Sequence, residues 1–208
     1  MTQRKRTRKT SPRPKRSTLW SNTKATQRDA RRDTILRAAT RCINQRGYSG
    51  ASMAIIAREL GLSYNALYHY FASKEEILEH AFARVNRMIR DCVATSARAE
   101  GSGLERFTAF VAAFQHLVQQ ESPPAIALVA HLSKAKLDAL LANRADIVSG
   151  LTAIVRGGIA DGSIARDADA ELVVGFLLGA LESTPYWQFA PDAIEKSFDD
   201  FVVRALAR

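Results

Sequence analysis

Between Ser52 and Lys74 the chain sets out Ser52, Ser63, Tyr64, Asn65, Tyr68, His69, Tyr70 and Lys74. Their hydroxyls, carboxamide, imidazole and ammonium are all hydrogen-bonding groups, and none stands in a recognisable nucleophile or metal-ligand pattern. Hydroxyls and an ammonium suit phosphate oxygens. A carboxamide and an imidazole can read the donor and acceptor pattern on base edges in a major groove. The chemistry on offer is recognition of double-stranded DNA, not bond making.

Short helices must hold these groups. Met53, Ile56, Ala57 and Leu60 recur at i, i+3, i+4 and i+7, one apolar stripe on a helix that Ser52 caps. Gly61 supplies the turn, because a residue just past a helix end often needs positive φ, and Ser63 caps the next helix. Leu67 anchors that second helix, with Phe71 a turn further on. Tyr64, Asn65, Tyr68, His69 and Tyr70 cannot then all face inward. A small residue at Ala57, a glycine at Gly61 and an apolar anchor at Leu67 fit a helix-turn-helix.

Gly47-Tyr48, Ser52-Met53, Ile56-Ala57, Gly61-Leu62-Ser63, Leu67-Tyr68-His69-Tyr70-Phe71 and Ser73-Lys74-Glu75-Glu76 together resemble the TetR family of one-component transcriptional regulators. The match covers residues 28 to 80. The resemblance implies that Ser63, Tyr64, Asn65, Ala66 and His69 face bases, and that Ser52, Tyr68, Tyr70 and Lys74 face phosphates; Tyr64 and Asn65 occupy positions that vary within the family. It implies an all-α protein of two domains, a three-helix DNA-binding head at 28–74 and an effector-binding and dimerisation body at 75–208. It further implies a homodimer on a palindromic operator, acting as a repressor.

Charge supports a DNA partner. The formal net charge is +9 over 208 residues, and residues 1 to 32 hold twelve Lys and Arg against the single acid Asp29. A nearly neutral body with a basic arm is the electrostatic footprint of a nucleic-acid binder. Residues 1–27 contain Pro12 and Pro14 and no apolar period, so disorder without a partner is expected, with phosphate tracking and simple solubilisation both open as roles. No apolar run is long enough to span a bilayer, and the basic start lacks a following apolar segment, which points to the cytoplasm. Cys42 and Cys92 fall at helix-core spacing and read as buried thiols rather than a disulfide.

The spacing predicts about nine helices and no strand. The first opens near Thr26 with a cap to Asp29, buries Ile35, Leu36, Ala39, Cys42 and Ile43, and stops at Gly47. Ser73 and Glu76 suit a capping box that opens a long helix through Ile77, Leu78, Phe82, Val85, Met88, Ile89 and Cys92 to the Gly101-Ser102-Gly103 break. Further helices are expected at 104–120, 125–132, 134–160, 170–188 and 192–207, with a turn at Asp161-Gly162 and a breaker at Ser122-Pro123-Pro124.

In the body, Met88, Phe110, Phe114, His131, Phe176 and Trp187 are candidates to line an effector pocket, although an aromatic stripe at helical spacing is ordinary core as well. The body has no basic cluster for a phosphorylated ligand, which favours an apolar effector; an acyl thioester held partly at the surface also remains open. Gly175 and Gly179 lie four apart on one helix face. With Phe198 and Phe201 they are candidates for an isologous dimer contact. No cofactor, metal or catalytic residue is indicated. The rival reading is a DNA-binding architectural or protein-partnered factor without a small-molecule effector; loss of DNA binding on adding a compound separates the two.

Overall fold

A computed structural model describes residues 16–183 and 200–207. Seven α-helices and one 3-10 helix follow in order: α1 Arg16–Gly50, α2 Met53–Glu59, α3 Tyr64–Tyr68, α4 Lys74–Arg98, α5 Gly103–Glu121, the 3-10 helix Ile126–His131, α6 Lys134–Asp161 and α7 Ala170–Ser183. Residues 200–206 are helical as well. Among the described residues the only strand-like pairing is an isolated bridge between Ile164 and Ala207. The all-α expectation holds.

The chain divides into two units between Ile35 and Leu36, and α2 to α7 all lie in the second. Helix α1 begins ten residues before the expected Thr26 start, so part of the supposed arm, residues 16–27, is helix. Between Pro14 and Gly47 the sequence has no proline or glycine to break it, and a polar helix carries no apolar period by which to be seen. The expected cap at Thr26 therefore has no helix end to serve. The stop at Gly47 is real: its φ of 72° interrupts α1.

Side-chain caps fix where the next helices start. Ser52, Ser63 and Ser73 each accept a hydrogen bond from the backbone N–H three residues on, at Ile55, Ala66 and Glu76. The capping box expected at Ser73 is only half formed, because the Glu76 carboxylate accepts from the Ala72 N–H instead of the Ser73 N–H. The reciprocal box stands at Ser102 and Glu105, opening α5. The α-helix expected at 125–132 is a 3-10 helix: Ser122 takes a left-handed φ of 45° and two prolines follow, leaving residues 122–125 non-helical.

Helices α4, α5 and α6 pack against one another, and α7 packs on α6. Their shared core includes Ile89, Phe107, Phe110, Phe114, Leu151, Val155, Val174 and Leu178. One contact dictates a residue type. The start of α5 lies so close to α6 that a Cβ on Gly103 would sit 2.1 Å from the Gly158 nitrogen, which no side chain tolerates.

Candidate nucleic-acid interface

Met53, Ile56 and Ala57 on α2 are buried, as is Leu67 on α3, and Leu60 is half-buried at the end of their stripe. Gly61 takes φ 63°, and the turn closes with the Leu62 N–H donating to the Ala57 carbonyl at 2.9 Å. Arg46 forks onto Glu59 and ties α1 to α2. With Leu67 turned inward, the opposite face of α3 is left outside.

That outer face carries the expected side chains. Ser63, Tyr64, Asn65, Tyr68 and His69 are exposed, and Ala66 and Tyr70 are half-buried. The Tyr64 and Tyr68 hydroxyls meet at 2.9 Å with ring centroids 4.5 Å apart, so the two phenols form one exposed polar ridge. The hydrogen bond to Tyr64 holds the Tyr68 phenol above its ordinary pKa. Ser52 and Ser63 already spend an oxygen lone pair on a cap. Their hydroxyl hydrogens keep their donor capacity toward a phosphate.

Lys74 is less free than its sequence position suggests. Its Nζ donates to the Tyr48 carbonyl and lies 4.1 Å from the centre of the Tyr48 ring. On that ring also stacks His131, with centroids 4.0 Å apart and planes 8° from parallel. His131, one of the pocket candidates, is exposed at the end of the 3-10 helix and takes part in this stack.

Other pocket candidates scatter. Phe110 lies in the core between the rings of Phe107 and Phe114. Met88 lines an open surface groove with Cys92 and His116. Phe176 is 65% exposed on α7, where its neighbours Val174 and Leu177 take the inward positions. Phe114 does reach a small cavity, about 40 Å³, between α4, α5, α6 and α7. Trp187 and Phe198 lie outside the described residues. Gly175 and Gly179 are exposed with nothing within 4 Å of where a Cβ would be, and Phe201 is exposed too.

Sequence reasoning missed Asn44, Tyr48 and Asn86. Asn44 on α1 grips residues 123–125 with both ends of its amide, donating to the Pro123 carbonyl at 2.8 Å and accepting from the Ala125 N–H at 3.1 Å. Asn86 on α4 is 5% exposed, lines the small cavity, and its Nδ2 has no partner among the described residues. A polar residue inside the apolar period of residues 77–93 was the available signal for Asn86. Asn44 and Tyr48 act across long sequence separations that no local spacing reports.

Comparisons with known proteins agree with this geometry. The profile for bacterial regulatory proteins of the tetR family matches residues 35–81, and that for the tetracyclin repressor-like C-terminal domain matches residues 100–206. The HTH-type transcriptional regulator PksA of Bacillus subtilis strain 168 is 43% identical over 63 residues, 30% of this chain and 31% of that protein. The regulator BetI of Cronobacter sakazakii is 36% identical over 83 residues, 39% of this chain and 41% of that protein. The matched stretch thus spans about a third to two fifths of these curated relatives. Among solved structures, the TetR family regulator PfmR of Thermus thermophilus superposes with a TM-score of 0.73 at 25% identity, covering 84% of this chain and 99% of that one. AibR, solved in complex with isovaleryl coenzyme A and operator DNA, gives a TM-score of 0.71 over 85% of this chain and 98% of that one, and at 24% identity speaks for the fold alone. Two profiles together cover the head and most of the body, and the chain belongs to the tetR family of bacterial regulatory proteins.

Proposed function

We propose that this protein is a homodimeric repressor that binds a two-fold symmetric operator through α3 and leaves it when a small, largely apolar effector enters the body. The observation that carries this reading is the exposed face of α3, with Tyr64, Asn65, Tyr68 and His69 outside while Leu67 is fully buried. Ser63, Tyr64, Asn65, Ala66 and His69 meet base edges; Ser52, Tyr68 and Tyr70 meet phosphates. Lys74 adds positive charge at the head of α4, held in place by Tyr48. Residues 28–74 are the DNA-binding head and 75–208 the sensing and dimerising body. The protein acts in the cytoplasm and catalyses no reaction.

Dimerisation rests on α7 and residues 200–206. Leu172, Gly175, Phe176 and Gly179 follow at i, i+3, i+4 and i+7, and all four are exposed. Leu172 at 71% and Phe176 at 65% exposure make an apolar stripe that a soluble monomer would hide. Phe201 and Val203 are exposed as well. A second copy of the same stripe supplies the cover and gives the two-fold axis that a palindromic operator requires. No helix among the described residues is long and apolar enough to cross a membrane, which favours a protein partner for this face.

Selection of bound fragments from random duplex DNA tests the reading. The expected winners contain two inverted half-sites about one helical turn or a multiple apart. Enrichment of no sequence, or only of unpaired sites, would contradict it.

A further inference from the structure

The small cavity between α4, α5, α6 and α7 is apolar along most of its wall, where Phe82, Ile89 and Phe114 meet. At its polar end stand Asn86, Arg144 and Glu182. Arg144 and Glu182 pair at 2.5 Å, so the end offers no uncompensated charge. Burial, the largest influence on Glu182, raises its carboxyl pKa, and Arg144 opposes that rise. Asn86 differs: its Nδ2 is a buried donor with no acceptor among the described residues. An unmet buried donor costs free energy that a matching acceptor oxygen recovers.

About 40 Å³ is room for water and far too little for an effector, so entry must move a wall. Four helices, α4 to α7, line most of it. The remaining wall is Pro123 and Pro124, with Ile126 at the start of the 3-10 helix; residues 122–125 are non-helical and the prolines bring no N–H to hold them. Its tie is Asn44, which binds the Pro123 carbonyl and the Ala125 N–H from α1. Just beyond it, His131 stacks on Tyr48, and the Ser133 N–H donates to Glu75 at 2.7 Å. The cavity wall at 123–126 is therefore fastened to the DNA-reading head at Asn44, and the segment just after it is held at Tyr48 and at Glu75 in the first turn of α4.

We propose that this cavity takes a small uncharged molecule with an apolar body and one hydrogen-bond-accepting oxygen, a ketone, ester or amide, read by Asn86. Its entry pushes out residues 123–126 and pulls on α1 through Asn44. The proposal rests on the effector-responsive reading above and names both the chemical class and the route of the signal. A ligand shifts the head only by binding one arrangement of this segment better than the other, and Asn44 is the link through which that difference reaches α1.

The full-length protein is tested with 2-heptanone, heptanoate and heptylammonium, by calorimetry and by the thermal unfolding midpoint. Release from the selected operator is measured alongside. The ketone is expected to bind, raise the midpoint and release DNA, and the two charged analogues to do none of these at equal concentration. Asn86→Leu, checked for folding by circular dichroism, should weaken ketone binding about tenfold, the loss of one hydrogen bond. Val118→Phe, which fills the cavity from α5 and leaves the Asn86 side chain itself unchanged, should abolish binding and guards against misfolding of the first variant. Asn44→Ala should bind the ketone as the wild type does yet release DNA at several-fold higher ketone concentration. Equal binding of all three probes, no binding of the ketone, or ketone binding unaffected by both cavity variants would overturn the ligand class. Undiminished release by Asn44→Ala would overturn the route. A protein that holds its operator but ignores the ketone refutes this inference and leaves the DNA-binding reading standing; ketone binding without any operator does the reverse.

Discussion

Cys42 is buried in the head, and its thiol is pushed up to about 11, by burial first and by the adjacent Glu59 carboxylate second. A thiol reacts as its thiolate, so raising the pKa by about two units above an ordinary cysteine cuts the reactive fraction near neutral pH about a hundredfold. Modification of Cys42 by iodoacetamide at pH 7.5 should therefore run at least about a hundredfold slower in the native protein than in urea. Similar rates in both states would show a thiol open to redox sensing. At this scale the sequence was legible where a residue's role is local. Ser52, Ser63 and Ser73 cap helices at the positions their spacing predicts, and Leu67 anchors α3. It was illegible where the partner is distant, as for His131, whose stack on Tyr48 joins residues 83 positions apart in the chain.

Helix starts and close approaches set the body's geometry. The first turn of α5 is held by Asp161, whose carboxylate accepts from the Gly103 N–H at 2.7 Å and from the Ser163 N–H at 2.9 Å. Hydrogen bonds from Ser163, then from Gly103, depress the Asp161 pKa below its ordinary value. Because the folded pKa is the lower one, the carboxylate contributes stability that is full above the ordinary aspartate range and is lost as pH falls through the depressed value. Asp161→Asn should thus be less stable than wild type at pH 7, with the gap closing in acid; urea unfolding at pH 7 and pH 3 measures it, and a gap that widens in acid would contradict the sign. Beside Asp161, Gly103→Ala forces α5 away from the Gly158 backbone and should cost at least about 2 kcal/mol of unfolding free energy, as overpacking does. A cost near zero in the same urea titration would mean that the two helices separate freely. The Gly101-Ser102-Gly103 stretch read as a break from sequence, and it is one, but only the packed structure explains why the last glycine cannot be replaced. The early start of α1 at Arg16 was hidden for a different reason, since a polar helix has no apolar period.

For the whole molecule, the proposed dimer contact rests on the exposed stripe on α7. Gly179→Arg places a long cation at the end of a stripe where Leu172 and Phe176 stand exposed and no described residue lies near the glycine. Sedimentation should show a monomer with unchanged helical content and at least tenfold weaker operator binding; an unaltered dimer would move the interface elsewhere. Dimerisation matters because each head presents only a short α3, and recognition of a two-fold site needs two of them on one axis. The family was legible from the motifs in 47–76 and the helical body from the apolar spacing of 77–207, while the cavity and its fastening to the head depend on contacts among α1, α4 and residues 122–133 that only the folded chain brings together. The central claim is that the outer face of α3 reads bases, and base-pair preference tests it most directly. Operator selection repeated with Asn65→Ala and His69→Ala should change the preferred base at one pair per half-site, by about 1–3 kcal/mol, while the rest of the site is kept. Selected sites identical to the wild type's in both variants would contradict it.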